Sequence, residues 1–353
     1  MTVKSKPKRA SGGKTGGSKR GESLHVGIDL GTSRSAISPS KGGRHLVDSY
    51  VGWPKDFVSA KVLGKPVLFG REALEHRLLL DLYRPLEHGV IKETTEREQE
   101  AVDALINHLL ETVDPERKKS LHAVLGVPAQ ALTQSKLAIR NAVADSVDSL
   151  MIVSEPFAVA YGQGFLDNAM VVDIGAGTVD FCIMHGAVPT DEDQLTSLNA
   201  GDHIDQELLD ALTERHPDAS INLNMVREFK ERWSFVGKPE RRVEVELPVD
   251  GKLVGYDITD EMGRACESIL PALQEHTAEL IAKFDPQFQD AIRQNIILAG
   301  GGSQITGLAD HLEKAMSEYG PARVTTVSDP VYAGADGALA LARDMPPEYW
   351  EEV

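Results

Sequence analysis

The stretches HVGIDLGTS (His25–Ser33) and MVVDIGAGTVDF (Met170–Phe181) decide how this chain is read. In each, an apolar run rich in β-branched residues delivers one aspartate, Asp29 or Asp173, to a glycine-punctuated turn. A hydroxyl residue and a second apolar run follow, the pattern of a β-hairpin. Glycine lets the backbone of such a turn approach an oxyanion and aim several N–H groups at it, which a Cβ would obstruct. One such hairpin reads equally well as an ordinary turn containing an Asp. Two in one chain read as a phosphate clamp built twice. A polyphosphate also needs a cation, and Asp29 and Asp173 suit Mg²⁺ held through its waters, because that ion keeps several waters and takes only one or two carboxylates.

At 353 residues the chain suits two lobes, or two split lobes, better than a single small core. Its 26% charged and 41% hydrophobic residues describe an ordinary soluble globular protein. No apolar run reaches the roughly 18 residues of a membrane span, so direct membrane insertion is not expected. The first 22 residues hold seven Lys or Arg and one acid among Gly, Ser and Pro, a charge of +6 within a chain total of −17. They are expected to be disordered, and with no hydrophobic segment behind them they are not a secretory signal. The body, at −23 by difference, repels nucleic acid and anionic lipid. Cys182 and Cys266 lie far apart without ligand spacing and read as buried thiols in a reducing cytoplasm. The eleven histidines form no metal-binding spacing.

Periodicity predicts helices over Gly70–Tyr83, Arg97–Val113 (stopped by Pro115), about Ser135–Ala144, Ser154–Gly164, Asn199–His216, Leu223–Gly237, Asp260–Phe284 and Ala333–Asp344. Strands are expected at Leu24–Ser38 as a hairpin, Leu63–Phe69, Leu121–Ala129, Leu150–Val153, Arg242–Leu247 and Leu253–Ile258. Another runs from Asn295 into Gly300, Gly301, Gly302 and Ser303. Trp53-Pro54 is expected to break regular structure. The alternation of strand and helix argues for α/β lobes with mixed sheets.

The order of these motifs resembles the actin, Hsp70 and sugar-kinase superfamily: phosphate hairpin, helix opened by an acid, second phosphate hairpin, Gly-Asp helix, strand into Gly-Gly-Gly-Ser. Within it the chain is most similar to the bacterial actins, in particular those of magnetosome filaments. The stretches VGWPKDFV at Val51, LGKPVLFG at Leu63, RPLEHGVI at Arg84, SEPFAVAYG at Ser154, KERWSFVG at Lys230 and MPPEYW at Met345 carry that narrower likeness. The resemblance covers about Leu24–Trp350. It implies an actin-like two-lobed α/β fold, each lobe a mixed sheet flanked by helices, with ATP and Mg²⁺ in the cleft between them. The first lobe would span 23–157 with a small subdomain near 50–86. The second would span 158–332 with one near 205–260, and 333–353 would return to the first lobe.

The resemblance also implies roles. Asp29 and Asp173 would hold Mg²⁺ from opposite lobes. Gly31, Thr32 and Ser33 would take the β-phosphate side, and Gly175, Ala176, Gly177 and Thr178 the γ-phosphate side. Lys230 and Glu231 would lie near the adenosine, and Gly201, Asp202, Gly300, Gly301, Gly302 and Ser303 would border ribose and adenine. Glu155, the acid of Ser-Glu-Pro, would orient or deprotonate the attacking water. Its plain alternative is a favourable charge in a helix's first turn. Two positions depart from the family pattern. Val179 stands where many members carry a second hydroxyl, which would slow hydrolysis. Arg34 replaces a small polar residue and could reach a phosphate or point to solvent.

The activity implied is ATP-dependent assembly into a cytoplasmic filament loosened by hydrolysis, with the chain itself and magnetosome-associated proteins as partners, alongside magnetosome membranes. A small-molecule kinase on this fold would need a base for its acceptor hydroxyl, and no acid beyond Glu155 offers itself. A chaperone-type ATPase would need a substrate-binding domain, whereas the roughly 50 residues after the triple glycine finish the fold.

The leader generates a prediction. Removing Met1–Glu22 is expected to leave thermal midpoint and ATPase nearly unchanged. It is also expected to reduce filament bundling at low salt, with the difference shrinking as salt screens the −23 body over about 8 Å. Equal bundling of the full-length and truncated chains by light scattering at low salt would contradict a bridging role.

Overall fold

The computed structural model describes residues 23–92, 95–116, 119–129, 136–143 and 146–352. The leader and its expected disorder lie outside them.

Alternation builds the first sheet. Leu24, Val26, Ile28 and Leu30 on the strand Ser23–Leu30 all turn into one core. That strand pairs antiparallel with Arg34–Pro39, closing the first hairpin with Asp29 opposite Ala36. On its other side it pairs in parallel with Ser120–Val127. The sheet continues to Ser149–Ser154 and Glu351–Glu352 at one edge and to His45–Asp48 at the other.

The second sheet repeats this arrangement. Asp167–Ile174 pairs antiparallel with Val179–His185, which closes the second hairpin and sets Asp173 opposite Asp180. Its other neighbour, Ile296–Ala299, is parallel, with Val324–Thr326 and Gln194–Ser197 at the edges. Each aspartate therefore leaves the C-terminal end of a central strand flanked by one parallel and one antiparallel partner. In open α/β sheets that end is where ligands bind.

Two helices lie between the sheets, Glu155–Gln163 and the crossing helix Ala333–Asp344. They share a core with Val124, Val171, Cys182 and Ile297 from both sheets. The contact depends on absent side chains. A Cβ on Gly337 would sit 1.9 Å from the Ala158 carbonyl oxygen, and one on Gly27 of the first sheet would sit 2.1 Å from that of Ala335. The crossing helix is thus wedged backbone to backbone between the first sheet and the Glu155 helix. The strand at 351–352 then pairs with Ser149 and Leu150. Cys182 and Cys266 are buried and unbridged, as their spacing predicted.

Several expected elements differ. Val51–Pro54 is a strand rather than a break, and Pro54 closes it at its last position, where a missing N–H is tolerated. The helix expected over Gly70–Tyr83 stops at Glu75. Leu80–Tyr83 instead pairs with Val51–Pro54, because this buries Leu80 beside Tyr50, Leu68 and Ala73. Tertiary pairing outweighs a helical pattern there. Of Leu63–Phe69 only Leu68–Phe69 is strand, since Leu63 ends the helix Phe57–Leu63 that Asp56 caps. The long helix of Asp260–Phe284 is two, Thr259–Glu267 and Leu270–Lys283. Pro271 sits in the first turn of the second, where its ring costs no hydrogen bond; inside one continuous helix it would break the bond to Glu267. Strands run over Glu244–Val249 and Lys252–Asp257, turning at Asp250-Gly251.

Gly337→Ala tests the crossing. Helix propensity favours Ala by about 1 kcal/mol, yet the new methyl collides with rigid backbone, so a net loss of about 1–3 kcal/mol is expected in urea unfolding. Gly255→Ala, facing open space, is the control and stays within about 0.5 kcal/mol of the parent. An unchanged midpoint for Gly337→Ala would contradict the packing account.

Candidate functional site

The two hairpin turns meet. A Cβ on Gly177 of the second would lie 2.5 Å from the Thr32 Oγ1 of the first. Thr32 Oγ1 also accepts from the Gly89 N–H at 3.3 Å, and Ser49 Oγ donates to the Gly31 carbonyl at 2.7 Å, pinning the first turn. The second turn is closed by Gly175 N–H to the Thr178 carbonyl at 2.9 Å. The triple glycine enters from the parallel neighbour Ile296–Ala299. Gly300 is left-handed at φ 72°, and a Cβ there would stand 2.3 Å from Asp173 Oδ1, so only glycine lets this turn pass the aspartate.

These turns enclose a cleft of about 390 Å³. Among the sequence-derived candidates, Asp29, Gly31, Thr32, Ser33, Glu155, Asp173, Gly175, Ala176, Gly177, Thr178, Gly201, Lys230, Glu231, Gly300, Gly301 and Gly302 line it. Asp202 and Ser303 are not in its lining. Ser303 is buried with its hydroxyl on the Gly300 carbonyl at 2.7 Å, and Asp202 is paired with Arg84 and Arg227. Arg34 lines the cleft and is half-buried. Its guanidinium meets Glu231 Oε1 at 2.7 Å and lies 3.5 Å from Asp48.

Sequence reasoning missed Arg227, Ser234, Ile204, Gln304, Ile305, Pro128, Pro330 and Val331, which also line the cleft. Arg227 carried a signal, standing three before Lys230 on one face of the helix Leu223–Trp233, which stops short of the expected Gly237 and is capped by Ser234. Ile204 stands three after Gly201 in the same way. Pro330 and Val331 arrive from outside any motif, through the path of the chain into the crossing helix. Lys230 does not hang free in the cleft: its Nζ donates to the Gly201 carbonyl at 2.6 Å and pairs with the buried Asp205 at 2.7 Å.

At the cleft floor the charges are of one sign. Burial pushes the Asp29 carboxyl up to about 7, opposed by a hydrogen bond it shares with Glu155. Glu155 and Asp173 are held well above the usual carboxylate range, first by burial and then by neighbouring carboxylates, Asp29 and Asp180 acting on both. Asp180 is raised by burial, although Thr196 Oγ1 and the Ala129 N–H donate to its Oδ1 at 2.6 and 3.0 Å. Glu155 Oε1 and Asp180 Oδ2 are buried without a partner among the described residues. Unpaired buried acceptors and crowded carboxylates are the setting a divalent cation relieves. Among the described residues no three His, Cys, Asp or Glu converge to ligate an ion directly. Asp29 and Asp173 therefore fit Mg²⁺ held largely through water and phosphate rather than a metal caged by side chains. No helix among the described residues is long and apolar enough to cross a membrane.

The chain is similar to known proteins over most of its length. The family described as MreB/Mbl protein matches residues 23–347. The actin-like protein MamK of Paramagnetospirillum magneticum is 41% identical over 330 residues, covering 94% of this chain and 95% of that protein. MamK of Magnetospirillum gryphiswaldense is 42% identical over 327 residues, with 93% and 91% covered. The subunit of a MamK double helical filament superposes with a TM-score of 0.89 at 41% identity, over 92% of this chain and all of that one. A non-polymerising MamK mutant bound to AMPPNP gives 0.71 at the same identity, over 92% of this chain and 99% of that one.

The carboxylates make stability depend on pH. Asp29, at about 7 when folded and near about 3.9 when unfolded, makes the folded state bind more protons between those values. Its stabilising contribution is full below the lower value and is lost as pH rises through the upper one. In EDTA without nucleotide the thermal midpoint is expected to fall between about pH 5 and pH 8. Asp173→Asn is expected to raise that midpoint at pH 8 while weakening Mg²⁺·ATP binding in calorimetry. A pH-independent midpoint, or normal nucleotide binding by the variant, would contradict the site.

Proposed function

The chain belongs to the MreB/Mbl family of bacterial actins, and from that premise we propose that it is an ATP-hydrolysing actin that polymerises in the cytoplasm into filaments organising magnetosomes. The observation that carries the nucleotide reading is the meeting of two glycine hairpins over a floor of buried carboxylates, with one acid, Glu155, left partly unpartnered beside them. The filament reading is supported by the likeness to MamK, whose filament subunit fits this chain better than the non-polymerising mutant does.

In this reading the backbone of Gly31–Ser33 and Gly175–Thr178 cradles the phosphates from the two lobes. Lys230, Glu231 and the triple glycine bound the adenosine. Bound Mg²⁺ would neutralise phosphate charge, with Asp29 and Asp173 holding its waters. Glu155 opens its helix directly after Ser149–Ser154, and its buried carboxylate reaches the cleft. It takes the proton of a water attacking the γ-phosphorus; the new P–O bond forms as the bond to the β,γ-bridging oxygen breaks, and ADP leaves. Thr178 supplies the hydroxyl on the γ-phosphate side. Val179 is buried in the second-lobe core, so no second hydroxyl follows Thr178, which favours slow turnover and long-lived polymer. Loss of the γ-phosphate removes what the second turn holds and shifts the equilibrium of lobe angles, loosening the filament. Magnetosome-associated proteins are the partners this reading expects.

Glu155→Gln is expected to leave ATP-dependent pelleting intact while phosphate release falls by about 100-fold or more. Unchanged turnover in the purified variant would overturn the assignment. Phosphate release that requires an added acceptor would favour a kinase instead.

A further inference from the structure

Arg84 and Asp202 connect the two phosphate hairpins from outside the cleft. Arg84 follows the strand Leu80–Tyr83 of the first lobe, and its Nε donates to the Thr32 carbonyl of the first turn at 2.9 Å. Asp202 opens the helix Gly201–Arg215 of the second lobe, and its backbone N–H donates to the Ala176 carbonyl of the second turn at 2.7 Å. Between them Arg84 Nη1 and Nη2 grip Asp202 Oδ2 and Oδ1 at 2.7 and 3.1 Å, a two-pronged pair. Behind Asp202, Arg227 donates to its Oδ1 at 3.2 Å, to the buried Asp205 at 3.1 Å, and back across to the first lobe's Tyr50 hydroxyl at 2.7 Å. The lobes are thus bridged twice by one polar chain.

Exposed ion pairs contribute little, but here the side chains of Arg84 and Asp202 are only 21% and 23% exposed and the geometry is bidentate. Each partner is also anchored to the backbone of a different phosphate turn, so the pair forms only when those turns are apposed. We propose that Arg84 and Asp202 are positioning residues forming a cleft clasp, which holds Thr32 against the second turn when the lobes are closed and whose opening governs nucleotide release. The proposal rests on the nucleotide reading above.

The test uses the full chain and its Arg84→Lys, Asp202→Asn, double and Tyr50→Phe variants. Arg84→Lys keeps the charge and loses the fork. Release of a fluorescent Mg²⁺·ATP analogue, chased with excess ATP, is expected to accelerate about tenfold in either single variant, within the usual range of coupling between sites. The double variant releases no faster than the singles, because both remove one contact, and Tyr50→Phe accelerates release by less. Small-angle scattering of the nucleotide-free variants is expected to show an enlarged radius of gyration at an unchanged thermal midpoint. Should Asp202→Asn lose its folded midpoint, Arg84→Lys decides. Unchanged release, a double variant equal to the product of the singles, or unchanged scattering would overturn the clasp. A parent chain that binds no analogue, with variants that still open in scattering, would refute the nucleotide reading and leave the clasp standing.

Discussion

Three carboxylates, Asp29, Glu155 and Asp173, line one cleft with a fourth, Asp180, buried behind them, and the rest of the structure is arranged around their mutual repulsion. Like charges out of water resist ionisation and oppose the compact state. Hairpin register makes this worse by setting Asp173 directly across from Asp180. In the proposed function a cation shared with a polyphosphate would relieve that repulsion and turn it into binding energy. Under that proposal, ligand binding would stabilise the closed cleft by mass action and loss of phosphate charge would return the repulsion. Stability of the empty protein and affinity for nucleotide would then be opposed at the same residues.

The carboxylates come from both lobes, so their distance is set by what joins the lobes. On one side that is the backbone-to-backbone crossing at Gly337 and Ala158, set in a core that draws on both sheets. On the other it is the polar chain of Arg84, Asp202, Arg227 and Tyr50. In the proposed function the angle between the lobes is what nucleotide would set. The chain superposes on the MamK filament subunit at a TM-score of 0.89 and on the AMPPNP-bound non-polymerising mutant at 0.71.

Much of the site could be read from sequence because phosphate turns are local. Glycine spacing and an adjacent Asp are dictated by backbone geometry within a few residues, so Asp29, Gly31, Asp173, Gly175 and Gly300 could be placed before any tertiary structure was known. What escaped was set by long-range pairing. Leu80–Tyr83 carried a helical pattern but became a strand once Val51–Pro54 lay beside it. Asp202 shares the Gly-Asp motif with Gly201, which lines the cleft, yet its own carboxylate is taken by an arginine 118 positions away. Arg34 could not be placed from sequence because its partner Glu231 lies on the other lobe. Pro271 is the local feature that splits the Asp260–Phe284 pattern into two helices.

The central claim is that ATP drives assembly through this cleft and that its hydrolysis undoes it. Following polymer mass by light scattering and phosphate release in one sample after adding Mg²⁺·ATP tests that claim directly. The account predicts that scattering rises above a critical protein concentration before phosphate appears, that release accelerates with polymer, and that scattering decays as ATP is exhausted. Phosphate released at a constant rate per molecule with no polymer at any concentration, or polymer that forms equally with ADP, would contradict it.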